Sequence, residues 1–242
     1  MLLNSNATIS DTDCVEQEPE VSAATRKLRM LRTLVCGHRY ERAARAAGAT
    51  LIAGVDEVGR GALFGPVVAA AVILPEGCRI RGLRDSKQLT REDRERLALI
   101  VERRAICIAI EEVDSATIDR VNIYQATRIA MTAAVSRLTP APDHLLIDAM
   151  RLDLICAQTS IIYGDSLSIS IAAASVVAKV YRDNRLRELD RKYPQYGLAS
   201  HKGYATPEHR AALLSHGPCE LHRYSFRPVA QSSLPWDEPS DY

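Results

Sequence analysis

Apolar residues come in short blocks along the chain, and the polar residues between them set the boundaries of the predicted elements. Residues 50–57 and 67–75 are apolar runs separated by a glycine-rich stretch, which predicts strand, loop, strand. Thr90 with Asp93 three residues later signals a helix start, and the helical pattern runs to residue 102. Residues 104–113 alternate as a third strand, and 115–120 form a short helix. Asn122 caps a longer helix to residue 138, with Ile129 and Ala133 on one face, and Pro140 and Pro142 stop it. Two short strands follow at 144–149 and 160–163. Residues 168–192 predict a long helix, small and apolar in its first half and charged in its second. A polar loop covers 196–204, and Thr206-Pro207 opens another helix that Gly217-Pro218 ends. The order β-β-α-β-α-β-β-α-α predicts a mixed α/β sheet flanked by helices.

Outside these elements the pattern weakens. Residues 1–21 are acidic and low in aromatics, and 229–242 are rich in serine, proline and acid, so both are expected to be disordered. Residues 22–48 predict a basic helical segment broken near Gly37. Leu28, Leu31, Leu34 and Val35 form its apolar stripe, and Arg26, Lys27, Arg29, Arg32, Arg39, Arg42 and Arg45 surround it. Such a helix either packs on a domain or tracks a phosphate backbone, and packing is the commoner case. Residues 49–228 are left as the main domain, C-terminal helices included, and no internal repeat is present.

Composition changes this picture in three ways. The hydrophobic fraction of 47% is that of a full globular core. The net charge of +1 conceals a body of +9 between residues 23 and 228, offset by eight acids at the two ends. A basic body suits a polyanionic partner. The six cysteines are scattered without a C-x-x-C pair, which argues against zinc and for reduced thiols. No secretory signal precedes the first apolar residues, and no apolar run approaches the ~20 residues of a membrane helix, so a cytoplasmic protein is expected.

The chemistry concentrates where strands end. Asp56, Asp148 and Asp165 each follow a short apolar strand, and Glu57 adjoins the first. Carboxylates gathered at one sheet end repel by about 4 kcal/mol per pair at 4 Å and an effective dielectric of 20. They require protonation or cations, and oxygen ligands without histidine or cysteine favour hard divalent ions. A magnesium pair held this way clamps the attacking and leaving oxygens of a phosphodiester. Strand alternation sends Asp56 and Glu57 to opposite faces, so Asp56 reaches the cations directly and Glu57 only if the chain turns there.

Several motifs, in order, resemble those of bacterial type 2 ribonuclease H (RNase HII). They are Gly54-Val-Asp-Glu-Val-Gly-Arg-Gly61, Asp85-Ser-Lys-Gln-Leu89, Leu146-Ile-Asp-Ala149, Gly164-Asp165, Ile171-Ala-Ala-Ala-Ser-Val-Val-Ala-Lys-Val180 with Arg182-Asp183, His201-Lys-Gly-Tyr204, and His222-Arg-Tyr-Ser-Phe226. The resemblance covers roughly residues 50–228 and implies a ribonuclease H-like fold. That fold has a central mixed five-stranded sheet flanked by helices, with a small helical C-terminal part. It implies an endonuclease acting on RNA/DNA hybrids and 5′ of single ribonucleotides in duplex DNA, leaving 3′-hydroxyl and 5′-phosphate ends. The job would be removal of misincorporated ribonucleotides and RNA primers.

By the same resemblance Asp56, Glu57, Asp148 and Asp165 are the catalytic metal ligands for Mg2+ or Mn2+, two per site during catalysis. Gly59, Arg60 and Gly61 sense the ribose 2′-hydroxyl, Tyr204 packs on the sugar at the RNA–DNA junction, and Lys87 and Lys202 hold phosphates. The 2′-hydroxyl is what separates RNA from DNA, and glycine backbone can approach it closely. A type 3-like enzyme and a non-catalytic hybrid-binding module on the same fold are the rival readings.

Other residues draw plainer readings. Asp183 lies four residues after Lys179 and reads as its ion-pair partner. Ser175 reads as packing, His201 as a phosphate neighbour or a loop residue without a role, and Ser86 lacks the surroundings of a nucleophile. Residues 231–236, Gln-Ser-Ser-Leu-Pro-Trp, faintly resemble a sliding-clamp peptide. A monomer without membrane contact is expected.

Overall fold

The computed structural model describes Ser22, Thr25 and residues 33–232. The chain divides into Met1–Leu34 and Val35–Tyr242, and everything below belongs to the second unit. The expected acidic extension, the apolar stripe of residues 28 and 31, and most of the clamp-like peptide lie outside the described residues.

Five strands, β1 (Ile52–Val58), β2 (Val67–Ile73), β3 (Cys107–Val113), β4 (His144–Asp148) and β5 (Ala157–Ile161), form one sheet in the order β3-β2-β1-β4-β5. The first three pair antiparallel, while β1–β4 and β4–β5 pair parallel. The helices of this unit, among the described residues, are α1 (Arg39–Ala46), α2 (Arg91–Arg104), α3 (Ser115–Val121), α4 (Ile123–Ser136), α5 (Gly164–Leu167), α6 (Ile169–Lys192), α7 (Leu198–His201), α8 (Pro207–His216) and α9 (Arg227–Ser232). The expected α/β class and mixed sheet are found.

The sequence of β2, Val-Val-Ala-Ala-Ala-Val-Ile, is buried throughout because both faces of the sheet are covered. Val67, Ala69, Ala71 and Ile73 face a core with Ala126, Ala130, Met131 and Ala134 of α4. Val68, Ala70 and Val72 face Leu97 and Val101 of α2 and Ala172, Ala173, Val176 and Val177 of α6. The alternation is that of a strand between two layers. Helix α6 lies directly on β1, because a Cβ on Gly54 would sit 2.0 Å from the Ser170 carbonyl carbon.

The caps follow the sequence signals. Thr90 accepts from the Asp93 amide, Asn122 from Gln125, Ser168 from Ile171 and Thr206 from His209, each satisfying a first-turn donor.

Four expectations need correction. Residues 35–48 are part of the main unit: Ala44 packs with Ile52, Leu146, Ile161 and Ile171, and Val35 is not helical. Strand β5 lies at 157–161 rather than 160–163. As an edge strand of polar composition, Ala-Gln-Thr-Ser-Ile, it carries no apolar run to mark it. The 196–204 stretch is structured, with a 3-10 turn at Pro194–Tyr196 and helix α7, because Tyr196 and Leu198 bury against Phe64, Leu186 and Leu189. The expected tail begins too early: α9 extends to Ser232, and Val229 is buried against Leu63 and Leu213.

Candidate active site

The ends of β1 and β4 bring Asp56 and Asp148 side by side. Val55 pairs with Ile147 in parallel register, so the next residue on each strand points to the α6 face. Strand β4 ends at Asp148, whereas β1 continues through Val58, still paired to β2. Glu57 starts on the opposite face, and the chain does not turn there as the sequence required. Its carboxylate nonetheless feels the charge of Asp148, which adds to the rise of its pKa. Asp165 comes from the first turn of α5 rather than from a strand end, because β5 stops four residues earlier. The Gly164 amide donates to Asp148 Oδ1 at 2.8 Å, tying that turn to the tip of β4.

All four acids resist ionisation. Burial raises the pKa of Asp56 well above the carboxylate range, and Glu57, Asp148 and Asp165 push it further. Burial likewise raises Glu57, whose rise Arg60 opposes, with Arg60 Nη1 at 3.5 Å from Oε1. Burial raises Asp148 against the opposing Gly164 amide and Lys87. Asp165 is pushed up to about 6 by burial, with Lys87 opposing and Asp85 and Asp148 adding to the rise.

Lys87 stands at this cluster, 3.2 Å from Asp165 and 3.9 Å from Asp85. Its dense surroundings disfavour its charge, yet Asp165, Asp85 and Asp56 outweigh them and raise its pKa. Asp85 caps the Ser86–Gln88 turn through the Lys87 amide at 2.9 Å, so one buried acid both shapes the turn and faces the cluster.

Among the described residues no group of three or more histidine, cysteine or carboxylate side chains already has metal-holding spacing. The donor set is nevertheless that of a hard cation: oxygen only, desolvated and mutually repelling. A divalent ion would relieve the repulsion that raises these pKa values.

The 59–66 loop after β1 is held from behind by two arginines that sequence reasoning left without a role. Arg182 and Arg223 are fully buried. Arg182 donates to the carbonyls of Pro66 (3.0 Å), Phe64 (3.1 Å) and Lys202 (3.0 Å). Arg223 donates twice to Gly65 O, at 3.0 and 2.8 Å, and once to Arg60 O at 2.9 Å. Burial lowers both pKa values, Arg223 to about 9, with Arg182 adding to the fall of Arg223. Carbonyl oxygens stand in for the missing counter-ions. The signal was present in the Arg182-Asp183 and His222-Arg223 motifs, but nothing in a single sequence marks a buried arginine.

Gly59 adopts φ +93°, and a Cβ there would meet Arg182 Nε at 2.2 Å, so the loop's first glycine is demanded by its own support. Gly61 has nothing within 4 Å of a Cβ, and it and Arg60 face solvent. The Leu63 amide donates to Gly203 O at 2.7 Å, docking this loop on the 201–204 stretch. There the Arg182 guanidinium lies 5.7 Å from the centre of the half-buried Tyr204 ring.

Lys202 is not brought to the carboxylates. Its amine donates to the Ala199 carbonyl, and burial lowers its pKa, with Arg187, Lys179 and Arg91 adding to the fall and Asp183 opposing it. Asp183 pairs with Lys179 at 2.7 Å, as its spacing predicts. Ser175 is more than packing: its hydroxyl lies 2.9 Å from that of Ser86 and opposes the rise of the Asp56 pKa. His201 bonds the Tyr196 carbonyl through Nε2 and accepts from the Gly203 amide at Nδ1, so it shapes its own loop.

Comparison with known proteins gives a consistent result. Residues 53–229 match the family described as Ribonuclease HII. A protein of Koribacter versatilis (strain Ellin345) named Ribonuclease HII is 58% identical over 215 residues, covering 89% of this chain and 85% of that protein. The ribonuclease H2 of Pyrococcus horikoshii OT3 superposes with a TM-score of 0.66 at 24% identity, over 76% of this chain and 97% of that one. The Bst-RNase HIII structure in complex with Mn2+ superposes with a TM-score of 0.62 at 23% identity, over 78% of this chain and 71% of that one. At those identities the two structures speak for the fold.

Proposed function

The chain belongs to the ribonuclease HII family and is a ribonuclease H, a hydrolase; from that premise we propose that it cuts RNA/DNA hybrids and, in duplex DNA, on the 5′ side of single embedded ribonucleotides. The products are a 3′-hydroxyl and a 5′-phosphate. The observation that carries this reading is a single constellation. Four carboxylates that resist ionisation stand beside a solvent-facing Arg60-Gly61 loop, which Arg182 and Arg223 lock to the strand end and to the Tyr204 stretch.

Asp56, Glu57, Asp148 and Asp165 would hold Mg2+ or Mn2+, two ions per site during catalysis. Bound there, the ions supply an activated water and stabilisation of the leaving 3′-oxygen. The protein's own residues do the selecting. Backbone at Gly61 is open to approach by a 2′-hydroxyl, and Arg60 holds the adjoining phosphate while steadying Glu57. Tyr204 offers its ring to the sugar across the junction. Lys87 places positive charge where the cut phosphate meets the acids, and Lys202, with Arg187, meets the backbone farther along. Such an enzyme serves removal of misincorporated ribonucleotides and RNA primers in the cytoplasm. It works as a monomer, and contact with a sliding clamp would run through residues 231–236. No helix among the described residues is long and apolar enough to cross a membrane.

The test is cleavage of a 5′-labelled duplex carrying one ribonucleotide, beside a continuous RNA/DNA hybrid, with Mg2+ and with Mn2+. The expected product ends at the nucleotide before the ribose. Cleavage of the hybrid alone would remove the single-ribonucleotide reading, and hybrid binding without cleavage of either would remove the enzyme.

A further inference from the structure

Two fully buried histidines lie behind Tyr204, outside the carboxylate site. Their hydrogen bonds admit one arrangement of protons. The Cys219 amide, which can only donate, meets His222 Nδ1 at 3.0 Å, so the His222 proton is on Nε2. That Nε2 lies 3.2 Å from His209 Nε2, which must accept. The remaining His209 proton is on Nδ1, 2.9 Å from the Tyr204 carbonyl, which can only accept. Burial pushes the His222 pKa down to about 4, with His209 adding to the fall, and burial also lowers His209. Both rings are neutral near pH 7, as the proton count requires.

The bond to Tyr204 is not needed to satisfy its carbonyl, which already accepts from the Thr206 amide at 2.8 Å. A second donor at a fixed angle constrains the direction of the peptide. The far end of the relay is anchored to the other recognition loop. Residues Phe64 and His222 form an antiparallel bridge, and the His222 ring meets Phe64 edge-on at 4.8 Å. His201 stacks on His209 at 4.5 Å, closing the side toward its own loop.

Resting on the reading of Tyr204 given above, we infer that His209 and His222 are positioning residues for ribonucleotide recognition. They form a one-way pair of neutral imidazoles that fixes the Tyr204 peptide, and with it the ring, against the 59–66 loop. His222 selects the His209 tautomer, and His209 holds Tyr204. Neither touches substrate.

The test is the ratio of kcat/KM on a single-ribonucleotide duplex to kcat/KM on a continuous hybrid, measured for purified, folded variants. Tyr204→Ala should lower the ratio. His209→Ala should lower it about fivefold, the scale of one lost hydrogen bond. His209→Asn keeps a donor near the Nδ1 position and should restore the ratio to within about twofold of the parent. His222→Phe keeps the packing on Phe64 but frees the His209 tautomer, and should lower the ratio like His209→Ala. Tyr204→Ala with His209→Ala should fall no further than Tyr204→Ala alone. If Tyr204→Ala leaves the ratio unchanged, the junction reading fails and the inference falls with it. If Tyr204→Ala lowers the ratio while His222→Phe does not, or His209→Asn falls as far as His222→Phe, the relay alone is overturned. The contrast between His209→Asn and His222→Phe decides the matter even if His209→Ala does not fold.

Discussion

Asp56 is the acid most at odds with its surroundings. It is 4% exposed, its neighbours are anionic, and its raised pKa means that ionising it costs folding free energy in the metal-free protein. The sign follows from the direction of the shifts. Acids raised in the folded state contribute stability that is complete below the ordinary carboxylate pKa of about 4 and is lost as pH rises through the folded values. Asp165 sets the one marked value, about 6. In chelator, the melting temperature should therefore fall between about pH 4 and pH 7, and added Mg2+ should restore it. Asp56→Asn should raise the metal-free melting temperature at pH 8 by about 2–4 °C, the scale of 1 kcal/mol in a chain of this size. The same variant should abolish cleavage and keep duplex binding. A lower melting temperature at pH 8, or normal cutting, would refute the electrostatic account. Two glycines of the loop should also part company. Gly59→Ala collides with Arg182 and should cost stability and activity together. Gly61→Ala has open space, so its melting temperature should stay within about 1 °C, as for a surface change, while single-ribonucleotide cleavage falls. Equal behaviour of the two would mean that Gly61 is a turn residue and no more.

At the scale of elements, the chemistry depends on α6 lying against β1. The small first half of the helix was legible in the sequence as close packing, and Gly54 was legible only as part of a motif. What no periodicity could give was their contact, with Ser170 where a Gly54 side chain would be. Gly54→Ala should cost about 3 kcal/mol or more, as overpacking against backbone does, read from the midpoint of a urea melt. A loss below about 1 kcal/mol would mean that the helix can shift, and with it Ser175 and Asp165. The same limit explains the misread strand. Apolar runs announce β1, β2 and β4 because both their faces are buried, whereas β5 at the sheet edge is polar and was placed three residues late. Asp165 was thus picked for the wrong reason: it stands on a helical turn that β5 delivers. Caps were read correctly because a single side chain and amide decide them locally. Which face α4 buries is decided by the sheet it packs on, where Ala126, Ala130 and Ala134 sit while Ile129 is exposed.

Across the whole molecule, charge was visible from the start and its placement was not. The +9 body divides its cations between two tasks. Arg182 and Arg223 are buried and spent on loop carbonyls, so they offer nothing to a polyanion. Two groups of cations lie near the site, Arg60 and Lys87 at the carboxylates, and Lys202 with Arg187 and Arg91 farther along. A duplex lying across both groups would meet about five phosphates, which predicts a log–log dependence of affinity on salt with a slope of about −4 to −5. Measured on Asp148→Asn, to prevent cutting, Lys202→Ala should weaken binding alike for DNA, hybrid and single-ribonucleotide duplexes and flatten the slope by about 1. Arg60→Ala should weaken binding to ribonucleotide-containing duplex more than to plain DNA, since its loop is the one offered to the 2′-hydroxyl. A slope near zero would show that the basic body is not the binding face. A Lys202→Ala effect confined to the ribonucleotide substrate would show that this lysine reads the sugar and not the backbone.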